Sequence, residues 1–462
     1  PAGVTAAVAQ SQPAGIAAAV TQSQPAAGPK AQTQAGLRAP AQTQAAPAVE
    51  HQELSDDHFT SGQSVYLEKI IDAVTIGTPD HWHIPISIAA LRAGCDVYCE
   101  KPLTYSVYEA RQVTEAARKA KVATQLGNQG QAEDKARMIQ EYILDGAIGP
   151  VHEVYVPWGR GFWDPPPGPG RPQETPPVPD GLDWDLWLGP APVRPYWPGI
   201  YHPGQWRRWW DFGQGTLGDM ACHILHPVYV GLRLQYPTRV QGTSTLLLTD
   251  CAPHAETVRL VFPERKKFKK AKMPEVEVTW YDGGIQPMKP DGWPAGRDMN
   301  DDGGGVLFHG TKDTLVCGCY GKDPWLLSGR TPTVEPSMRK VELTHEMDWV
   351  RACKESPDSR VETASPFKEA GPFNEMVVMG VLAVRLQGLN KELEWDGDKM
   401  EFTNIGDDEK LRMCIKDGFE IHDGHPTFKK DWTDPFSAKE FSKELVKHTP
   451  REGGWELPDM PA

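Results

Sequence analysis

Ile70-Ile71-Asp72-Ala73-Val74-Thr75-Ile76-Gly77-Thr78-Pro79-Asp80-His81-Trp82-His83 reads as an apolar strand that runs straight into ionisable chemistry. A second such unit follows at close interval, Asp96-Val97-Tyr98-Cys99 leading into Glu100-Lys101-Pro102. Between them Ile84, Ile88 and Leu91 recur at helical spacing, and Gly94 stands where a helix would stop. In an open parallel sheet, ligands bind beyond the carboxyl ends of the strands. Two polar clusters at two successive strand ends therefore predict one site.

The same alternation continues outward. Ala110, Val113, Thr114 and Ala117 form the next helical stripe, and Val122-Ala123-Thr124-Gln125-Leu126 the next strand, ending in Gly127-Asn128-Gln129-Gly130. Ala136, Ile139, Ile143 and Ala147 mark a third helix. Strands alternating with helices in this way imply right-handed crossovers and a parallel sheet. Beyond residue 150 the pattern changes. Proline and glycine crowd Pro165-Pro166-Pro167-Gly168-Pro169-Gly170 and Pro176-Pro177-Val178-Pro179, which reads as a long surface loop. Strand-like runs follow at Val240 to Leu248, Thr257 to Phe262, Val276 to Trp280, Val306 to His309 and Thr314 to Cys317, and a helix near Phe373 to Leu389. Their spacing fits a mixed or antiparallel sheet. The last forty residues, with Trp432, Phe436 and Trp455, read as an extended tail packed by its aromatics.

Composition bounds the function. The chain of 462 residues has a net charge of −14, the opposite of a nucleic-acid footprint. Its one basic run, Lys266 to Lys272, reads as a solvated hairpin tip. No run of 18 apolar residues predicts a membrane span, and no export signal is visible, so a cytoplasmic location is favoured over a periplasmic one. Eight scattered cysteines are too few for a disulfide scaffold, and Cys317 and Cys319 lack further ligands for a metal. Sixteen tryptophans are present, many between residues 158 and 210. Aromatic faces stack on sugar rings but more often fill cores, so one or two of Trp163, Trp206 and Trp209 are expected at a ligand. Arg207 can hold a carboxylate or a hydroxyl pair with its fork of donors, or pair with Asp211.

Thr78-Pro79-Asp80-His81-Trp82-His83, Glu100-Lys101-Pro102-Leu103 and Gly218-Asp219-Met220-Ala221-Cys222-His223, in that order, resemble the Gfo/Idh/MocA oxidoreductases. Trp184 to Pro190 and Trp206 to Phe212 resemble a bacterial subgroup of that family. The resemblance covers roughly residues 65–450 and implies an α/β fold: a Rossmann-like doubly wound parallel sheet, then an α+β domain with a large open mixed sheet. The corresponding divisions are residues 1–150, 151–430 and a tail over 431–462. The departure is at the amino end. Residues 1–65 contain no GxGxxG turn of the kind that lets a backbone approach a pyrophosphate, and are rich in Ala, Gln and Pro instead. Three readings stand: a tail in place of the cofactor half, a half-domain that keeps the shape without the fingerprint, or an ordinary first half whose residues differ from these.

The resemblance implies NAD- or NADP-dependent hydride transfer at a secondary alcohol of a sugar, polyol or glycoside, and a homo-oligomer joined through the second-domain sheet. Oxidising an alcohol needs a base for its proton while hydride leaves. Asp219 and His223, four apart, share one helical face. His223 then takes the proton, Asp219 orients it or hydrogen-bonds the substrate, and Lys101 is the lysine that the family sets against substrate and nicotinamide ribose. Thr78, Pro79, His81, His83, Glu100, Lys101 and Asn128 are the expected cofactor contacts, and Trp206 and Arg207 the substrate contacts. Asp80 as a helix cap and Trp82 as packing are the plainer reading of that turn. His226 stands where many members carry Asp. Two other functions compete: a scaffold that has lost its dinucleotide, and a metal-dependent hydrolase built on His81 and His83, although no metal is expected.

Overall fold

The computed structural model describes residues 71–161, 175–299 and 304–451. The first sixty-five residues, the loop around Pro165 to Gly170, Trp163 and Trp455 lie outside them. β1 (Ala73–Ile76), α1 (Asp80–Arg92), β2 (Asp96–Glu100), α2 (Val107–Ala120), β3 (Thr124–Gly127) and α3 (Asp134–Leu144) alternate as the hydrophobic periods predict. The three strands form a parallel sheet in the order β1-β2-β3. Val97, Cys99 and Leu126 are fully buried in it, and the helices lay Ile84, Ile88, Val113 and Ile139 against the same core. Gly94, at φ +72, turns the chain out of α1. A capping box between Ser106 and Glu109 starts α2 just after the Glu100-Lys101-Pro102 corner.

From Val151 the chain enters a second sheet. Its strands are β4 (Val151–Pro157), then, after α4 (Trp184–Leu188), α5 (Gly215–Ile224) and α6 (His226–Gly231), β5 (Arg239–Ser244) and β6 (Glu256–Phe262). The hairpin β7 (Arg265–Phe268) and β8 (Ala271–Met273) carries the basic run. β9 (Val276–Tyr281), β10 (Gly305–Gly310), β11 (Thr314–Gly318), β12 (Trp325–Leu326), α7 (His345–Cys353), α8 (Phe367–Arg385), β13 (Leu393–Asp396) and β14 (Glu401–Phe402) follow. Among the described residues the sheet has nine strands in the order β12-β11-β10-β4-β9-β6-β5-β13-β14, antiparallel except where β4 meets β9. β4 escapes the hydrophobic pattern because Val151, Val154 and Val156 do not alternate evenly. Cys319 belongs to the turn after β11, not to the strand with Cys317.

α8 joins the two layers. It lies so close to the large sheet that a Cβ on Gly242 of β5 would meet the Ala383 and Val384 backbone within 2.7 Å. On its other side a Cβ on Gly371 would collide with Thr114 of α2. A helix buried along nearly its whole length thus fixes the small sheet's strand ends over the large sheet, with α5 between them.

β15 (Lys410–Leu411), the long hairpin β16 (Cys414–His422) and β17 (His425–Trp432), β18 (Phe436–Ser437) and α9 (Ala438–Lys447) complete the described chain. The extended tail read from the sequence is replaced over 438–447 by a helix, because Phe441, Leu445 and Val446 recur at helical spacing. Among the described residues no helix is long and apolar enough to cross a membrane.

Candidate active site

The strand ends and α5 meet at a cluster of charged side chains. Lys101, just past β2, donates to the Asp219 carboxylate and, at 3.1 Å, to the Asp219 backbone carbonyl. Arg207, on the 3-10 turn Gln205–Arg208, reaches the same Asp219 Oδ1 at 3.3 Å. Arg207 also stacks on the Trp206 ring, 4.3 Å from its centroid. Asp211, the alternative partner of Arg207 read from spacing, is paired with Arg194 instead.

Close glycine packing makes this arrangement possible. A Cβ on Gly213 would lie 2.6 Å from the Arg207 backbone, and one on Gly218 2.3 Å from Gln214 Cβ. Gln214 donates 2.8 Å to the Thr104 carbonyl, tying the start of α5 to the loop after Lys101. From the other side Asn374 of α8 accepts from the Leu103 N–H at 2.8 Å and from the Cys222 thiol at 3.8 Å. Lys101 and α5 are therefore held by a common set of buried hydrogen bonds.

His223 sits one turn after Asp219 and is buried. Its Nδ1 has no hydrogen-bond partner among the described residues. Burial, and then the Lys101 cation, push its pKa down to about 3 against the smaller pull of Asp219. The ring is thus neutral at ordinary pH. Tyr320 closes over it edge-on at 4.8 Å, from the turn after β11, with its own backbone in the left-handed region at φ 62. Strained non-glycine backbone of this kind costs roughly 1–3 kcal/mol and concentrates at functional sites. No periodicity or motif in the sequence points to Tyr320.

Asp80 was readable only as a helix cap. The structure gives that position to Pro79 and turns Asp80 inward, where it is buried beside the charged cluster. Burial first, then the Asp219 carboxylate, raise its pKa well above the usual range, while Lys101 and Arg207 oppose.

The expected cofactor residues divide. Glu100 lies directly over Gly127, where a Cβ would stand 2.7 Å from its carboxylate, and Gln129 reaches Glu100 at 3.5 Å. Asn128 is buried with its Nδ2 3.4 Å from the Cys222 carbonyl and its Oδ1 without a partner among the described residues. Thr78 Oγ1 is likewise buried and unpartnered. Two orphaned polar atoms and a glycine cradle beneath a carboxylate, all at strand ends, fit a polar ligand such as a dinucleotide's ribose and amide.

His83 and His81 do not join them. His83 is a strut between the two strand-end loops, its Nδ1 2.6 Å from the Pro102 carbonyl and its Nε2 2.8 Å from the Thr78 carbonyl. His81 is buried with its ring against Phe212 at 5.3 Å and Trp187 at 5.8 Å, and its Nε2 lies 3.2 Å from the Trp187 carbonyl. Burial lowers its pKa to about 4. The two rings serve different neighbours, so the HxH spacing does not make a metal pair. Among the described residues no group of three or more His, Cys, Asp and Glu is arranged to hold a metal ion.

Trp206 and Trp209 belong to an aromatic cluster with Leu188, Tyr201 and Phe212. Trp209 is spent on packing and on a 3.0 Å bond to the Ile200 carbonyl, while Trp206 lies under the Arg207 guanidinium beside the charged cluster. His226 faces away, 4.7 Å edge-on to Phe373 and 3.3 Å from the Glu369 carboxylate.

A family model described as "Oxidoreductase family, NAD-binding Rossmann fold" matches residues 14–128, and one described as "Oxidoreductase family, C-terminal alpha/beta domain" matches residues 137–245. The first match extends across the Ala/Gln/Pro-rich segment that lacks the glycine turn. The chain is 36% identical over 106 residues to the 1,5-anhydro-D-fructose reductase of Ensifer adhaerens, covering 21% of this chain and 31% of that protein. It is 34% identical over 92 residues to the inositol 2-dehydrogenase of Leifsonia xyli subsp. xyli, covering 20% and 27%. With the D-glucoside 3-dehydrogenase of Escherichia coli it shares 32% identity over 99 residues, covering 21% and 27%. The matched stretches span about a third or less of each relative's length.

Proposed function

The chain belongs to the Gfo/Idh/MocA oxidoreductases, and from that premise we propose that it moves hydride between NAD or NADP and a secondary alcohol of a sugar, polyol or glycoside. The observation that carries the proposal is a buried, neutral His223 whose Nδ1 has no partner among the described residues, one turn from a carboxylate gripped by Lys101. The names of the relatives given above are those of enzymes of sugars and polyols, which supports that substrate class.

The chain's own residues supply the acid–base work. The His223 imidazole takes the hydroxyl proton, as a neutral ring with a free nitrogen can. Lys101 stabilises the developing alkoxide, and Asp219, itself held by Arg207, keeps its ammonium in place. Trp206 and Arg207 present a flat aromatic face with a donor fork to a hydroxylated ring. Glu100, Asn128 and Thr78 hold the dinucleotide, which when bound supplies the hydride acceptor. We assign His83 the support of the loops around it and His81 the packing of the Trp187 side. The expected homo-oligomer contact is the polar face of the large sheet, where Arg259 pairs with Glu277 and Glu392.

The test is cofactor titration by fluorescence followed by turnover on a panel of sugars and polyols. His223→Ala should lower the chemical step by about 10²–10⁴-fold, the usual contribution of a positioned base, and leave dinucleotide affinity nearly unchanged. Failure of the intact chain to bind either dinucleotide would overturn the reading in favour of a scaffold.

A further inference from the structure

The hairpin β16–β17 stands apart from both sheets. Among the described residues its strands pair only with each other beyond the root at Cys414, where a single bridge joins Leu248. One face is apolar although exposed: Phe419 is 64% exposed, Ile421 64% and Phe428 78%. Phe419 stands directly opposite Phe428, and Ile421 opposite Pro426. A two-stranded hairpin is marginal alone in water, and an unpaired edge strand is a template for another chain. β17 is guarded by Pro426, which has no N–H to donate. β16 carries no such guard.

We propose that β16 is a second contact between copies of this chain, separate from the large sheet, pairing antiparallel with β16 of another copy about a two-fold axis at Gly418. Three features single out this occupant. Gly418 has nothing within 4 Å of where its Cβ would be and no left-handed φ, so nothing among the described residues requires a glycine there. A glycine inside a strand weakens it and marks a bulge or a close backbone approach, and the bulge in this strand lies between Cys414 and Lys416. The strand is also self-complementary. Centred on Gly418, Lys416 falls opposite Glu420 of the partner subunit, and Ile415 opposite the partner's Ile421. Phe419 becomes the diagonal neighbour of the partner's Phe419, within reach of an aromatic side chain. Phe428, Phe419 and their two counterparts then form one row of rings across a four-stranded sheet. Finally, the hairpin's three lysines nearly balance its four acids in a chain of net charge −14, so two copies repel little at this patch.

The experiment is sedimentation velocity on the full chain over a range of concentrations, with Lys416→Glu, Glu420→Lys and Phe419→Asp. Each variant alone should halve the assembled mass of the wild type or raise its dissociation constant by on the order of tenfold, since facing like charges destabilise cross-strand pairs. An equimolar mixture of Lys416→Glu and Glu420→Lys should restore the wild-type mass, because every facing pair is then of opposite charge. Circular dichroism melting of each variant guards against loss of fold. A wild type that is monomeric at all concentrations overturns the proposal. So do charge variants of unchanged mass, a mixture that does not reassemble, and co-sedimentation of the monomer with phosphatidylcholine vesicles, which would assign the apolar face to lipid.

Discussion

At the scale of single residues, the role proposed for His223 starts from an uncharged ring. Its pKa of about 3 lies far below the ordinary 6.5, with burial and Lys101 as the leading causes. A depressed histidine pKa means that folding is favoured above the unfolded value and loses ground as pH falls from about 6.5 toward 3, where the unfolded chain takes a proton that the folded ring refuses. Lys101→Met removes the second largest of the depressing causes. The His223 titration, followed by NMR of the ring carbons, should therefore move upward, and with it the acid limb of kcat/KM. An unshifted titration would mean that Lys101 does not act on the ring. Gly127 offers a second residue-scale test, at the cofactor side. In Gly127→Ala the new methyl would stand 2.7 Å from the Glu100 carboxylate and must displace it. If Glu100 holds the ribose, dinucleotide affinity should fall about ten- to a hundredfold, the worth of a hydrogen bond to a charged group, with kcat at saturation much less affected. An unchanged dissociation constant would remove Glu100 from the cofactor site.

At the scale of elements, the decisive device is α8, which pins the loop after β2 and the middle of α5 with one buried amide. Asn374→Ala leaves the Leu103 N–H without its acceptor. The expected cost is about 1–3 kcal/mol, read as a lower urea midpoint, with a loss of kcat that exceeds any change in cofactor affinity because Lys101 and His223 lose their common support. Stability equal to wild type would show that the loop is held elsewhere. None of this is visible in sequence, since Leu103 and Asn374 are 271 residues apart. What could be read was local. Ile84, Ile88 and Leu91 announce α1, and Thr257 to Phe262 and Val276 to Trp280 announce β6 and β9 within a residue of their ends. Asp219 and His223 fall on one face because a spacing of four fixes it. Tyr320 and the inward turn of Asp80 depend on which distant backbone comes near, and no periodicity encodes that. His81 and His83 mislead for the same reason: their spacing is right for a pair, but Phe212 and the Pro102 carbonyl, far along the chain or around a corner, decide where each ring goes.

At the scale of the whole molecule, α8 packs against both the small sheet's side and the large sheet, and the atoms proposed to meet a ligand belong to the small sheet's strand ends and to α5. Thr78 Oγ1, Asn128 Oδ1 and His223 Nδ1 are all buried acceptors or donors left unsatisfied by the described chain. Such groups cost free energy until something fills them, so the molecule should be measurably more stable when the site is occupied. A ligand that binds only the folded chain stabilises it by about 2.7 kcal/mol at one hundred times its dissociation constant. NAD(H) or NADP(H) at that excess should therefore raise the melting temperature of the intact chain, and the preferred dinucleotide should raise it more at equal concentration. His223→Ala should keep this shift, because the ring is assigned to the substrate and not to the dinucleotide, while Gly127→Ala should shrink it. If both variants shift as wild type does, the dinucleotide is held without Glu100, and the weight of binding falls on the residues before Ile71. If neither dinucleotide moves the transition, the unsatisfied atoms at the strand ends serve some other ligand and the hydride-transfer assignment fails with them.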